Sequence, residues 1–168
     1  MLGQTTPEPF KSDLISSWLF QATMLLMLGV YLIACLLYGD ELQKQMPEAE
    51  RIIIIRSLLY VLAIITFPLT NLIRHIQLKL NQTMPFLGND AKIEAKKRYF
   101  FTTMVSMLLI ESLGVYGLLM FIWGDTVNTL YIFLGLSTLG MYLYRPKFNE
   151  YKSIITALSL ESLIDSDK

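Results

Sequence analysis

One carboxylate, Glu111, stands in the middle of a long apolar run, flanked by Met107, Leu108, Leu109 and Ile110. An acidic residue at the centre of a membrane-crossing helix costs about 2.5–3.5 kcal/mol on insertion scales, so it turns inward, finds a partner or carries a proton. Two chemistries suit it. As a reversible site, Glu111 exchanges a proton or cation. As a polar clip, it hydrogen-bonds another helix, where such contacts contribute about 0.6 kcal/mol on average and serve specificity more than stability. Ser112 and Tyr116 are the nearest side chains able to complete a polar or ion site with it.

The other reactive residues have plainer readings. Arg56 lies about one turn inside an apolar block, where its long stem lets the guanidinium snorkel to the interface. It lies too far from the level of Glu111 for an easy pair. The single histidine, His75, follows Arg74 just past a span, at headgroup level, and offers no second axial ligand for haem. The single cysteine, Cys35, excludes an intramolecular disulfide and a Cys/His metal site and reads as a small packing residue. No Gly-rich phosphate loop, HExxH or GxSxG motif occurs, so neither enzymatic activity nor a cofactor is expected.

The elements that must position Glu111 are four apolar blocks, at about 14–38, 52–73, 100–123 and 127–144. Each approaches the ~20 residues that cross ~30 Å of hydrocarbon at 1.5 Å per residue. Hydrophobic residues make up 54% of the 168, charged residues 17%, and mean hydropathy is +0.48, which places the chain among integral membrane proteins. The expected fold is all-α: residues 1–168 form one membrane domain of four transmembrane helices in two antiparallel hairpins, a four-helix bundle. Gly124, Asp125 and Thr126 make the tight turn of the second hairpin, as a helix stop followed by a cap. Pro68 is expected to kink the second span, with Thr70 and Asn71 available to satisfy freed backbone groups.

Charge distribution orients these spans. Eleven basic residues fall in the N-terminal tail, the middle loop 74–99 and the tail 145–168, against Lys44 and Arg51 on the other side. The positive-inside rule then puts both termini and the middle loop in the cytoplasm, with a bacterial inner membrane as the expected location. There the sequon at Asn81 would be silent. Lys92, Lys96, Lys97 and Arg98 are candidates for contact with lipid headgroups or an acidic partner. Beyond Arg145, helical spacing of Phe148, Tyr151, Ile155 and Leu158, with Ile154 and Leu163 beside them, predicts a short amphipathic helix on the cytoplasmic surface or against a partner. The net charge of +0 gives no reason to expect nucleic acid.

Small residues point to close helix contacts. Gly114 and Gly117 share a stripe with Thr103 and Ser106 in the third span, and Gly135, Ser137 and Gly140 offer matching notches in the fourth. The segment Glu111-Ser112-Leu113-Gly114-Val115-Tyr116-Gly117 resembles the ion-carrying helix of the proteolipid subunits of rotary ATPases, in which a carboxylate precedes small residues and a Tyr-Gly pair. That resemblance implies an ion-binding role for Glu111. The first two spans lack both the dense glycine ladder and the second acid. The leading expectation is therefore a non-catalytic accessory or structural subunit of a larger membrane complex, in contact with lipids and with other subunits or further copies of itself. The alternative is proton or cation translocation through Glu111.

Overall fold

The computed structural model describes residues 14–43, 49–84 and 91–166. The expectations for the N-terminal tail, for Lys44 and for the side chain of Leu163 lie outside the described residues. Helices account for nearly all of the rest: α1 (Ile15–Leu37), the single turn α2 (Gly39–Leu42), α3 (Ala49–Thr83), α4 (Ala91–Ile122), α5 (Val127–Leu143) and α6 (Phe148–Ser166). Among the described residues α1, α3 and α4 are each long and apolar enough to cross a membrane, and α5 with α6, joined at a 45° bend, is a fourth candidate. The chain is an integral membrane protein.

α4 is the central helix. It packs against α1, α3, α5 and α6, and half of its most apolar window is buried, against 17% for α1 and for α3. Its burial on several sides explains why no single apolar stripe marks it in the sequence: Met107, Ile110, Leu113, Met120 and Phe121 are all within 2% of complete burial. α1 packs on α4 and α5, whereas α3 packs on α4 and α6. α1 and α3 do not form a packed pair of their own, so the first expected hairpin is not a unit of packing. The outer faces of α1 and α3 carry exposed leucines and isoleucines such as Leu26, Ile33, Ile54 and Ile64.

The seam by which α1 docks is narrow. Leu14, Gln21, Leu28 and Cys35 are buried at intervals of seven residues, with Ser17 buried beside them. A seven-residue repeat is the period of coiled-coil contact, which keeps one thin line of a helix against its neighbours.

The middle segment 74–99, expected to be a loop, is largely helical. α3 has 35 residues and α4 has 32, or roughly 50 Å each at 1.5 Å per residue, well beyond a hydrocarbon core of ~30 Å. The overhanging ends build a second small core with α6. Tyr151, Ile154 and Leu158 of α6 are fully buried against Ala95 and Tyr99 of α4, with Leu78 of α3 and Leu14 completing the cluster. The apolar face predicted for α6 thus has an occupant in its own chain, and the buried line runs through Ile154 in place of Ile155, while Phe148 stays exposed.

α3 continues unbroken through Pro68. Thr66 and Thr70 turn their hydroxyls back onto the carbonyls of Leu62 and Thr66, at 2.8 and 2.7 Å, and the phenol of Tyr144 donates to the Phe67 carbonyl at 2.9 Å. The backbone around the proline is therefore supplied with extra donors from its own helix and from the α5–α6 elbow.

Candidate functional site

Glu111 faces into the molecule on α4 and is 6% exposed. Both carboxyl oxygens are buried without a hydrogen bond of normal geometry. The polar group that interacts with them is the phenol of Tyr31, from the α1 seam. Its proximity without a completed hydrogen bond leaves the carboxyl weakly satisfied in a medium where an unpaired charge is costly.

The side chains proposed from sequence to complete this site do not converge on it. Ser112 donates to the Leu109 carbonyl of its own helix at 2.7 Å, and Tyr116 sets its ring edge-on against Phe133 of α5, with centroids 6.4 Å apart. Successive helix positions diverge by about 100°, so Ser112 cannot share the direction of Glu111. Nothing in the sequence around Glu111 points to Tyr31, which lies 80 residues away on another helix. The signal that would have found it is the α1 heptad seam, in which Tyr31 lies three residues beyond the buried Leu28 and four before Cys35.

The small residues around Glu111 set how closely its neighbours approach. A methyl group on Gly114 would come within 2.3 Å of Leu28 Cδ2 on α1, and one on Gly117 within 2.7 Å of Phe133 Cβ on α5. On the α5 side, Gly140 receives the side chain of Ile110, 2.7 Å from where its own Cβ would lie. Gly135 is different: nothing lies within 4 Å of its Cβ position, so the notch expected there faces outward from the bundle. The phase of α5 is fixed instead by Ser137, which donates to the Ile110 carbonyl at 2.9 Å. Gln21 of α1 makes a similar stitch, donating to the Met141 carbonyl at 3.0 Å. The Ile110 carbonyl, inside α4, has a second lone pair for Ser137, and the Met141 carbonyl lies in the last turn of α5, where carbonyls lack an intrahelical donor, so both stitches join helices without opening either.

Two ionic sites close the ends of the bundle. At one end Arg56 Nε donates to Asp125 Oδ2 at 2.8 Å, and its Nη2 bonds Oδ1. The expectation of free snorkelling is replaced by a two-pronged ion pair to the α4–α5 turn, because Asp125 occupies the same end of the bundle as Arg56. The turn itself ends α4 with the Gly124 φ at 89°, with Gly124 N–H reaching the Phe121 carbonyl and Asp125 N–H reaching the Met120 carbonyl, both at 3.0 Å. This pairing of bonds after a left-handed glycine is the Schellman stop. Thr126, and not Asp125, is the N-cap of α5.

At the other end Arg74 is 4% exposed and held between the Tyr144 carbonyl, at 2.9 Å, and Glu150 Oε2, at 2.6 Å. Tyr99 joins the elbow from α4: its hydroxyl accepts the Lys147 N–H at 2.6 Å. By sequence position Arg74 belongs with the cations of the middle segment, and its burial follows from α3 continuing as a helix past the expected boundary.

The basic run at the start of α4 is divided in role. Arg98 bonds Glu94 one turn earlier at 3.0 Å and the carbonyls of Asn81 and Met84 at 3.3 and 3.1 Å, which ties α4 to the end of α3. Asn81 reciprocates by donating to Thr102 Oγ1 at 2.9 Å. Lys92 and Lys97 are exposed and Lys96 is half-buried. Because Tyr99 stands at the level of the elbow, Lys92 lies roughly 10 Å further from the spans at 1.5 Å per residue.

Among the described residues no group of three or more His, Cys, Asp or Glu side chains is placed to hold a metal ion. Compared with known proteins, the chain matches no family model, no curated protein and no solved structure. The likeness to proteolipid subunits therefore rests on residues 111–117 alone.

Proposed function

We propose that this chain is a non-catalytic, four-span accessory or structural subunit of a larger membrane assembly, with both termini on the cytoplasmic side of a bacterial inner membrane. The fourth span in this reading is α5, and the α3–α4 overhang with α6 forms the cytoplasmic end. The observation that carries the proposal is the direction of the polar groups. Glu111, Gln21 and Ser137 all point at helices of the same chain, and the two ion pairs join its own segments, while α1 and α3 keep long apolar faces uncovered. The polar residues thus serve to set one shape, and the outward surface is apolar and able to pack against other spanning helices. Glu111 in this reading is a clip between α4 and α1.

The experiment is purification of the tagged full chain in mild detergent, with crosslinking in intact membranes beforehand. A stoichiometric membrane-protein partner, or an ordered homo-oligomer joined through α1 or α3, is the expected result. A monomer that leaves no crosslinked partner overturns the proposal.

A second reading has its own support. Both Glu111 oxygens are buried and lack a hydrogen bond, the state of a carboxyl group waiting for a proton or a cation. The clefts beside Cys35 and Phe121, beside Arg74 and Tyr144, and beside Trp18 and Arg145 are lined by residues other than Glu111. Carbodiimide labelling of Glu111 combined with proton flux in reconstituted vesicles separates the two. Flux that Glu111→Gln abolishes would establish translocation.

A further inference from the structure

We propose that the cleft between the C-terminal part of α3 and the α5–α6 elbow binds the headgroup of an anionic phospholipid, its phosphate received by Lys147 and His75. The cleft has a volume of about 350 Å³, and its walls include Arg74, His75 and Leu78 from α3 and Leu143, Lys147 and Glu150 from the elbow.

The charge of this cleft is unbalanced toward cations. Its one carboxylate, Glu150, is bound to Arg74. Lys147 and His75 are both exposed, and among the described residues neither joins an ion pair. A phosphate diester supplies the missing negative charge together with acceptor oxygens for both.

The position selects a lipid. His75 and Lys147 stand where the apolar stretches of α3 and α5 end, which is headgroup depth for a protein crossing the bilayer. Moving into the spans from the cleft, both helices become apolar and leave Leu69, Leu72 and Leu139 exposed, 42%, 55% and 51% respectively, as surface for acyl chains. The basic run of α4 is less suited, since Arg98 is bonded to Glu94 and to the end of α3, Lys92 lies beyond that depth, and Lys96 and Lys97 are not among the residues that line the cleft. The proposal does not depend on the chain having a protein partner.

Lys147 is also well placed for a test, because the fold uses its main chain: the N–H donates to Tyr99, and the carbonyl accepts from the same hydroxyl. Substituting the side chain leaves those bonds in place. The delipidated full chain in neutral detergent is titrated with phosphatidylglycerol and with phosphatidylcholine, with bound lipid counted by native mass spectrometry. Phosphatidylglycerol is expected to bind more tightly. Lys147→Gln should weaken it about fivefold, the equivalent of about 1 kcal/mol for one cation near an anionic headgroup, and Lys147→Arg should restore it. His75→Gln should act in the same direction. A triple Lys92→Gln, Lys96→Gln, Lys97→Gln variant should bind as the parent does.

Equal binding of the two lipids, unchanged binding in both Lys147→Gln and His75→Gln, or a loss confined to the triple variant overturns the proposal. Inorganic phosphate that competes at the lipid's own concentration would make this a free-anion site and overturn the lipid assignment. An acidic polypeptide copurifying on the cleft in place of phospholipid would do the same. Lipid-free melting of Lys147→Gln at the parent's temperature shows that any loss is not unfolding.

Discussion

Arg56 and Asp125 are bonded through one guanidinium edge, Nε and Nη2, and both carboxylate oxygens, although 69 residues separate them in the chain. Asp125 has no exposed side-chain surface, while the Arg56 side chain is 37% exposed. The carboxylate also accepts the Thr126 N–H at 2.6 Å, so it holds the start of α5 as well as α3. Removing the cation leaves a buried charge with one remaining donor. Arg56→Gln is expected to destabilise the protein by about 2 kcal/mol, below the 3–5 kcal/mol of fully buried pairs because the arginine is partly solvated. Arg56→Lys should recover only part of that, since an ammonium cannot reproduce the two-pronged geometry. Reversible unfolding in detergent, as a double-mutant cycle with Asp125→Asn, measures both.

The glycines of the second hairpin are expected to differ sharply under one substitution. Gly117→Ala places a methyl 2.7 Å from Phe133 Cβ, an atom that moves only with the α5 backbone, so it should cost about 1–3 kcal/mol. Gly114→Ala meets the flexible end of Leu28, and Leu28→Ala should rescue it. Gly135→Ala meets nothing within 4 Å and should be neutral or stabilise by up to about 1 kcal/mol through helix propensity. Thermal stability of the three variants, read in the same detergent, checks the series.

Much of this architecture is legible in the sequence, and the gaps have physical causes. The apolar blocks and the α4–α5 turn at Gly124 can be read directly, because span length and a left-handed glycine are local requirements. The helix ends cannot be read so well. Charged residues such as Glu94 and Arg98 resemble a loop by composition, yet at i,i+4 they support a helix. The partner of Arg56 is a matter of depth. Arg56 lies at the wrong level for Glu111, and the acid at its own level, Asp125, is in a turn where a capping role is the local expectation. Tyr31 stayed hidden because an oily helix offers no amphipathic contrast, and only the spacing of Leu14, Gln21, Leu28 and Cys35 betrays which line is buried.

The facing of Glu111 and Tyr31 predicts a small coupling. Glu111→Gln keeps the shape and removes the possibility of charge, so stability should stay within about 1 kcal/mol of the parent. Tyr31→Phe should cost a similar amount or less. The interaction between the two changes is expected to be about 0.6 kcal/mol, the average for hydrogen bonds between membrane helices. Glu111→Lys is the severe change, since no acidic side chain in α1 or α5 is available to meet it. Unfolding of the four variants, followed with a crosslink reporter between α1 and α4, tests whether the pair holds α1 in place.

Arg74 is expected to govern α6 more than any other single side chain. It reaches from α3 to the carbonyl at the end of α5 and to Glu150 in the first turn of α6, and it does so while 4% exposed. Arg74→Met removes both bonds and leaves the Tyr144 carbonyl without its guanidinium donor and Glu150 without its cation. The apolar contacts of Tyr151, Ile154 and Leu158 with α4 remain, and burial of such side chains contributes about 1.5–3 kcal/mol each. The helix should therefore stay folded while its first turn loosens. Hydrogen exchange is the suitable measurement: amides at 148–152 should exchange at least tenfold faster in Arg74→Met, a loss of about 1.4 kcal/mol of local stability. Amides of α5 should be unchanged. Glu150→Gln should give a smaller increase at the same positions, because the Arg74 bond to the Tyr144 carbonyl survives it. Faster exchange spread evenly over α4, α5 and α6 would instead mean that Arg74 supports the whole bundle and does not act locally at the elbow.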